Sequence, residues 1–365
     1  MVNRIIERGV SVSLTVLLLS ACSGVGPTSL SPAATGGARA PIASSKINVD
    51  VNSLPTHYTI NPLGTIPSYD YFYANGLKAS GVISGYAYSA TLGQTAVVYR
   101  NSAATKLLAP IGQESYRAYG VNSSGTVVGS SLSPIDRYHA TSWDFNGNPT
   151  DLQPMNSLWT RTQAFAINND GVIVGEGSYN AGFGHAALFS NGTVADLGTL
   201  PGDVSSVALA INDRGDVVGL SGNSAVQFSS GRVTAIGSLP NTNRCQSLAV
   251  NSRKHIAGNC SDNNGTYGFF YNDSMLAIGT APGKLYSDVT GMNKYDTIVG
   301  IVQGGTQPDA GFLSQSGKIY LLLDLLHANS GWTYLEARSI NDAGDIVGEG
   351  YLQRSLRAFK MTPAV

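Results

Sequence analysis

The feature that most constrains the fold is a short motif that recurs seven times. Its clear form is an apolar residue, Asn, two turn residues, Gly, any residue, two apolar residues and Gly, as in Ile211-Asn212 to Gly219, and four copies have this form. The copies at Val250-Asn251 and Met292-Asn293 are weaker, and the copy at Leu77-Lys78 lacks the Asn. The closing glycines stand at positions 85, 129, 175, 219, 258, 300 and 348, so their spacings are 44, 46, 44, 39, 42 and 48 residues. This period accommodates four short strands with their turns and is typical of propeller blades.

The two ends of the repeat region predict how the blades close. The chain stops after Leu356–Met361, which has the pattern of a third strand, and the folded region begins at His57–Leu63, which has the pattern of a fourth strand. Each end supplies what the other lacks. The sequence therefore predicts an all-β, seven-bladed β-propeller over residues 51–365, with four-stranded antiparallel blades and an N-terminal strand that completes the last blade. An open array of repeats is the alternative.

Several repeats also carry a recognisable sequence. The third has His185 to Phe189, then an Asn-Gly pair, then Asp196 to Leu200, and the Ile211-Asn212 motif follows. These residues resemble the bacterial HAF family of extracellular repeats, which is named for the His-Ala-Phe start of the third strand. The resemblance implies a propeller-type architecture and an extracellular location, and it implies no particular activity.

The N-terminus has the pattern of an export signal. Arg4 and Arg8 precede the apolar run Val10–Leu19, which is too short to span a bilayer, and the run ends at Ser20-Ala21-Cys22. This ending resembles a bacterial lipobox, which implies a lipoprotein signal peptide over 1–21 and a lipidated Cys22. An ordinary secretory signal with a coincidental cysteine is the alternative.

Residues 22–50 join the signal to the repeats. They are rich in Ser, Gly, Ala and Pro, which predicts a flexible tether behind the lipidated cysteine. The residue after Cys22 is Ser, so we expect a cell-envelope protein anchored in the outer rather than the inner membrane, in the periplasm or at the surface. The membrane is then a partner through the N-terminal lipid.

The charge composition limits the classes of partner that the protein can bind. The chain has 22 basic and 23 acidic side chains and a formal net charge of -1. Near neutrality argues against nucleic acid, which requires a basic face. We expect a monomer without a cofactor that binds an envelope protein or a glycan.

The two cysteines of the repeat region lie in one hairpin. Cys245 and Cys260 are equidistant from the centre of the predicted turn, between Ser252 and Arg253, so they are expected directly opposite each other. An exported compartment permits oxidation, and a disulfide is therefore predicted. Lys254 replaces the turn glycine of this hairpin, a loss that a cross-link could offset. Two buried free thiols are the alternative.

No catalytic motif stands out. The sequence lacks a nucleophile elbow, a phosphate loop and zinc-type spacing, so no catalytic residue and no metal ligand is predicted, and the chain is predicted not to be an enzyme. The acidic turns at 212–216 and 341–345 are explained by turn chemistry, because each offers too few ligands for calcium. The aromatic group Tyr69, Tyr71, Phe72 and Tyr73 is predicted to belong mainly to the core.

Candidate binding residues lie where the loops vary most, on the face that holds the loops between strands two and three. They are Tyr86, Tyr88, Asp136, Arg137, Glu176, Tyr179, Asp262, Asp309, Glu349 and Tyr351. Glu176 and Glu349 both follow a closing glycine. They are predicted to be solvated rim charges, with the general acid and base of a glycosidase as the alternative.

The sequence thus favours a membrane-anchored envelope lipoprotein that acts as a non-enzymatic binding or scaffold propeller for a protein or glycan. Two alternatives stay open. One is a propeller enzyme, a polysaccharide lyase or glycosidase, with its site on the loop-rich face. The other is a surface adhesin.

Overall fold

The computed structural model describes residues 57–364, apart from 111, 113–114, 134–137, 154–158, 180–181, 191 and 230. The predicted signal peptide, Cys22 and the predicted tether lie outside the described residues. The described chain forms seven four-stranded sheets, all with antiparallel pairing, as predicted. Within this part of the chain, no helix has the length and apolar character needed to cross a membrane.

The strands of each blade follow one another in sequence from the inside of the ring outwards. Blades 1 and 2 contain Tyr71–Leu77, Ile83–Ser89, Gly93–Arg100 and Ala103–Lys106, and Ser115–Val121, Val127–Leu132, Tyr138–Trp143 and Pro149–Asp151. Blades 3 and 4 contain Trp159–Ile167, Ile173–Tyr179, Gly184–Ser190 and Thr193–Asp196, and Ser206–Ile211, Val217–Ser221, Ser224–Ser229 and Arg232–Ala235. Blades 5 and 6 contain Arg244–Val250, Ile256–Ser261, Thr266–Asn272 and Ser274–Ala277, and Tyr286–Met292, Ile298–Gln303, Ala310–Gln315 and Lys318–Leu321. Blade 7 contains Trp332–Ile340, Ile346–Leu352 and Ser355–Pro363, and a 3-10 helix, Leu322–Leu325, precedes it.

The fourth strand of blade 7 comes from the start of the folded region. Tyr58–Pro62 pairs antiparallel with Ser355–Pro363, with Tyr58 opposite Pro363. The amide of Leu63 extends this pairing by donating to the carbonyl of Ala358 at 2.9 Å. The predicted closure is therefore confirmed, and the ring has no unpaired gap between its first and last blades.

The ring has two distinct faces. The Asn-containing turns between strands one and two lie at one of them, which we call the Asn-turn face. The connections between blades and the loops between strands two and three lie at the other, the loop-rich face. Apolar side chains fill the space between neighbouring sheets; for example, Val174 and Ala186 of blade 3 pack against Ala208 and Ile211 of blade 4.

The recurring asparagine joins successive blades. The Oδ1 atom of Asn212 accepts hydrogen bonds from the amides of Arg214 and Asp216, both at 2.9 Å, and so stabilises its own turn. Its Nδ2 atom donates to the carbonyl of Asn251 in the next blade at 2.8 Å. The same link starts at Asn122, Asn168, Asn251, Asn293 and Asn341. The motif therefore specifies both a turn and an interblade bond.

The closing glycine allows a bulge in strand one. A Cβ atom at Gly348 would lie 1.8 Å from the carbonyl oxygen of Glu336, and the other closing glycines give 1.9 to 2.1 Å. Next to the residue that pairs with the closing glycine, strand one of every blade carries one extra, unpaired residue, because the register shifts there. These bulge residues are Asn75, Tyr119, Phe165, Leu209, Leu248, Thr290 and Arg338. Bulges of this kind re-aim side chains.

The predicted disulfide of blade 5 is confirmed. Cys245 and Cys260 are register partners, and they are covalently joined. Lys254 occupies the turn position of the missing glycine with a φ of 67°, a conformation that L residues rarely adopt. The cross-link therefore closes a hairpin whose turn lacks its glycine.

Candidate functional site

The seven bulge residues divide the inner ring into two arcs. In blades 2 to 5 they are Tyr119, Phe165, Leu209 and Leu248, which pack together with Val207 as one apolar cluster. We call this the apolar arc. In blades 6, 7 and 1 the bulge residues are Thr290, Arg338 and Asn75, which we call the polar arc. Among the bulge residues, the only charged side chain is therefore that of Arg338, in the polar arc.

Arg338 is the bulge residue of blade 7 and binds two carboxylates. Its Nε atom donates to Oε1 of Glu349 at 2.7 Å, and its terminal nitrogen donates to Oε2 of Glu336 at 2.9 Å. Glu336 and Glu349 are register partners on strands one and two. Burial lowers the pKa of Arg338, but Glu349 and Glu336 raise it further, so the guanidinium stays protonated.

Glu349 has one oxygen without a partner. Its residue is 4% exposed, and among the described residues nothing hydrogen-bonds to its buried Oε2 atom. Burial raises the pKa of this carboxyl, whereas Arg338 lowers it, and the net shift is upwards. A buried carboxylate oxygen that accepts no hydrogen bond is costly, and such groups concentrate where a protein binds or transforms a ligand.

Two stacked tyrosines of blade 1 lie beside this carboxylate. The rings of Tyr73 and Tyr86 are 4.8 Å apart and nearly parallel. Burial, followed by Tyr86 and Glu349, raises the pKa of Tyr73 to about 12, and the pKa of Tyr86 is raised mainly by burial. Both phenols therefore keep their protons at neutral pH. The rim cluster is defined as Tyr73, Tyr86, Glu336, Arg338 and Glu349.

Arg117 extends the rim cluster into blade 2. Its guanidinium lies 5.1 Å from the ring centroid of Tyr86, and its Nε atom donates to Gln94. No Asp or Glu of the described residues forms an ion pair with Arg117. A half-buried guanidinium with unused donors beside aromatic rings suits a carboxylate or phosphate ligand.

Glu176 occupies in blade 3 the position that Glu349 occupies in blade 7. It is 8% exposed, and its Oε1 atom accepts one hydrogen bond, from Nε2 of Gln163 at 3.1 Å. Burial raises its pKa to about 7, although the Gln163 bond lowers it in part. Both glutamates are thus buried, and the prediction that they are solvated rim charges is wrong.

The other predicted binding residues are not members of the rim cluster. Tyr88 and Tyr351 are 37% and 43% exposed on the loop-rich face. Asp262 accepts hydrogen bonds from Asn264 and Gly265 within its own loop, and Asp309 accepts one from Gly304 at 3.3 Å. The last three predicted residues are outside the described part of the chain: Asp136, Arg137 and the side chain of Tyr179.

Sequence reasoning missed Tyr73, Glu336, Arg338 and Arg117. The prediction that the Tyr69–Tyr73 group is mainly core holds for Phe72, which is buried, and for Tyr69, which packs against the same core cluster. Tyr71 is 40% exposed, and Tyr73 joins the rim cluster. Pairing about the turn centre, which identified the disulfide, also places Glu336 opposite Glu349. Arg338 could not be found this way, because a bulge residue has no register partner.

The central channel of the ring ends in a cavity at the Asn-turn face, and the groups around this cavity are less reactive than those of the rim cluster. Turn residues that include Lys78, Asn212 and Asn341 line a cavity of about 200 Å³. The asparagines there are already engaged in turn and interblade bonds. Among the described residues, no group of three or more His, Cys, Asp or Glu side chains could hold a metal ion.

No known protein family and no curated protein matches the chain by sequence. Solved structures do match its fold. An oligogalacturonate lyase from Vibrio parahaemolyticus has a TM-score of 0.54 at 9% identity, with 87% of this chain and 98% of that chain covered. A puromycin hydrolase mutant has a TM-score of 0.55 at 11% identity, with 84% and 55% covered. YCF48 bound to a D1 peptide has a TM-score of 0.51 at 11% identity, with 88% and 100% covered.

These likenesses support a seven-bladed propeller. They also correct one prediction: the chain was predicted not to be an enzyme, and this is wrong on the comparison, because a lyase and a hydrolase are among the proteins that share its fold. The absence of a familiar catalytic motif was the only basis for that prediction. Propellers place their reactive groups by strand register, which a linear motif search does not detect.

Proposed function

We propose that this protein is a propeller lyase that cleaves an acidic polysaccharide at the rim cluster. The observation that carries the proposal is the Oε2 atom of Glu349, a buried carboxylate oxygen without a hydrogen-bond donor that lies in the same cluster as the protonated phenol of Tyr73. A proton acceptor and a proton donor held together are what elimination from a sugar requires.

Each group has a role in a β-elimination on a uronate sugar. Arg117 binds the uronate carboxylate and withdraws negative charge from it, which makes the adjacent C5 proton more acidic. Glu349 removes that proton, a C4–C5 double bond forms, and the bond from C4 to the glycosidic oxygen breaks. Tyr73 donates its proton to the departing oxygen. The raised pKa of Glu349 makes it a stronger base than an ordinary carboxylate.

Arg338 and Glu336 are positioning residues. Arg338 holds Oε1 of Glu349, so that Oε2 is the oxygen left to accept a proton. The likeness to an oligogalacturonate lyase supports the choice of an acidic sugar polymer as substrate. A glycosidase would need a second carboxyl free to act as a nucleophile or as a general base, and Glu336 is bound by both Arg338 and Tyr334.

The experiment is an assay of purified protein from residue 51 onward with polygalacturonate, alginate and hyaluronate. Elimination creates an unsaturated uronate that absorbs near the ultraviolet limit, whereas hydrolysis yields reducing ends without that absorbance. We expect the absorbance to rise, and we expect Arg117→Met, Tyr73→Phe and Glu349→Gln each to reduce kcat by about 100-fold or more.

Matched controls come from outside the rim cluster. Arg100 lies 4.3 Å from the ring centroid of Phe145, so Arg100→Met removes a similar cation–π contact far from the proposed site. It should leave the rate unchanged. Reducing ends without the absorbance would replace the lyase by a glycosidase, and no cleavage of any of the three polymers would refute the proposal.

We further propose that the enzyme is an envelope lipoprotein of the HAF type, anchored through Cys22. The export segment, the Ser-Ala-Cys sequence and the repeat sequence support this location. Expression with labelled palmitate should label the protein and place it in the membrane fraction. The Cys22→Ala variant should remain unlabelled and be released.

A further inference from the structure

Exposed aromatic side chains gather on one side of the loop-rich face. Tyr351 belongs to blade 7, Tyr71 and Tyr88 to blade 1, Tyr138 to blade 2 and Phe183 to blade 3, and each is between 37% and 57% exposed. In blades 4 to 6 the exposed large apolar residues of this face are Val204 and Leu285, which are aliphatic. Single exposed apolar residues are ordinary, but aromatic ones confined to consecutive blades mark a binding surface.

We call these five aromatic side chains the aromatic row, and two of them, Tyr71 and Tyr351, connect it to the rim cluster. The rings of Tyr71 and Tyr73 are 6.5 Å apart, and Tyr351 contacts Tyr334 with centroids 5.9 Å apart. Tyr334 in turn donates a hydrogen bond to Glu336. Aromatic contacts therefore connect blade 7 and blade 1 to the proposed reactive groups, and two further exposed aromatic residues, Tyr138 and Phe183, lie on the same face in blades 2 and 3.

The charges along the aromatic row indicate which class of ligand binds there. Arg117 lies in the middle part of the row, on blade 2, without an acidic partner among the described residues. Flat aromatic rings stack on the apolar faces of sugars, and a guanidinium binds a sugar carboxylate in a bidentate manner.

We propose that an acidic polysaccharide binds as an extended chain across blades 7, 1, 2 and 3, so that the protein recognises several consecutive sugars. This inference rests on the proposed lyase function and deepens it: the substrate is a polymer held at several subsites, and cleavage falls within the chain. Tyr351, Tyr71, Tyr88, Tyr138 and Phe183 are the aromatic side chains on which successive sugars stack.

The test measures binding and cleavage separately. Binding is measured as retardation of the protein in native gels that contain polygalacturonate, alginate or hyaluronate, with neutral dextran as the control polymer. Cleavage is measured with galacturonate oligomers of two to eight sugars. Tyr88→Ala and Tyr351→Ala change exposed side chains and should fold normally. Tyr295→Ala, at an exposed tyrosine of the Asn-turn face, is the matched control.

We expect the wild type to be retarded by an acidic polymer and not by dextran, and to cleave long oligomers faster than short ones. Tyr88→Ala and Tyr351→Ala should each weaken polymer binding by roughly three- to tenfold. They should also reduce the dependence of the cleavage rate on oligomer length. Tyr295→Ala should match the wild type.

The outcomes separate this inference from the proposed reaction. Wild-type retardation in both tyrosine variants, with cleavage intact, would overturn the extended binding row and leave the lyase standing. Tyrosine-dependent retardation without an unsaturated product would support the row and refute the lyase. Absence of retardation by all three acidic polymers would overturn the row.

Discussion

Glu176 and Glu349 stand at the same position of two blades and have different surroundings. Glu349 lies in the polar arc, where Arg338 and Glu336 accompany it. Glu176 is buried beside the apolar arc, and its one hydrogen-bond donor is the neutral Gln163. The blade scaffold therefore tolerates a buried carboxyl at this position in two ways, by pairing it with a cation or by raising its pKa so that the neutral form is favoured.

The largest expected effect comes from removing the cation of the polar arc. Arg338→Met leaves Glu336 and Glu349 as adjacent buried carboxyls without a counter-charge. We expect the free energy of unfolding at pH 7 to fall by about 3–5 kcal/mol, and by less at pH 4, because burial raises the pKa of Glu349 and favours its neutral form. Urea denaturation measures this.

The control for that variant is Lys294→Met, which removes an exposed ion pair to Asp342 with a nitrogen–oxygen distance of 3.7 Å. It should cost far less than Arg338→Met, because exposed ion pairs contribute little to stability. Equal losses in the two variants would show that Arg338 does not stabilise the polar arc through its charge.

The next effect concerns Glu176 and depends on pH. Its pKa is about 7 in the folded protein against an ordinary value of 4.5, which corresponds to roughly 3 kcal/mol. Between these pH values the unfolded chain releases its proton and the folded chain retains it, so wild-type stability falls as pH rises. Glu176→Gln lacks this loss. The variant should therefore gain up to roughly 3 kcal/mol over the wild type between pH 4 and pH 8.

Urea denaturation of wild type and variant at both pH values measures that gain, and the other titrating groups cancel in the difference. If the stability difference is the same at pH 4 and pH 8, Glu176 is ionised in the folded protein, and the two glutamates do not differ as the structure indicates.

The smallest effect concerns the hydrogen bond of Gln163. Gln163→Leu removes the donor that lowers the pKa of Glu176, so that pKa should rise above 7, with a loss of about 1 kcal/mol in stability. Carboxyl ¹³C titration, assigned with Glu176→Gln, measures the shift. Gln246→Leu changes the equivalent residue of blade 5 and should leave the titration of Glu176 unchanged, and a pKa that stays at about 7 in Gln163→Leu would contradict the prediction.

The architecture could be predicted because it depends on patterns that are local in the sequence. The closing strand followed from His57–Leu63 and Leu356–Met361, and the disulfide followed from counting residues about one turn. The repeat period set the number of blades. Each of these inferences needs only one hairpin or the two ends of the repeat region.

The candidate site could be predicted only in part, because it depends on contacts between blades. Glu349 and Tyr86 were singled out, but the neighbours that bury Glu349 include Tyr73, which is remote in sequence and reaches it only through ring closure. The bulge that aims Arg338 is invisible in a strand pattern of alternating residues. Sequence therefore located the face of the site and missed its charge arrangement.

The closing strand has a practical consequence. The amide of Ala364 donates to the carbonyl of His57 at 2.9 Å, so both ends of the described chain leave the propeller side by side. Gly344 in the blade-7 turn is next to Tyr58 and Pro363, which places both ends at the Asn-turn face. A reporter domain or a solid support coupled at either end would therefore lie at the Asn-turn face, opposite the loop-rich face. A sensor built on this protein would expose its aromatic row to the sample.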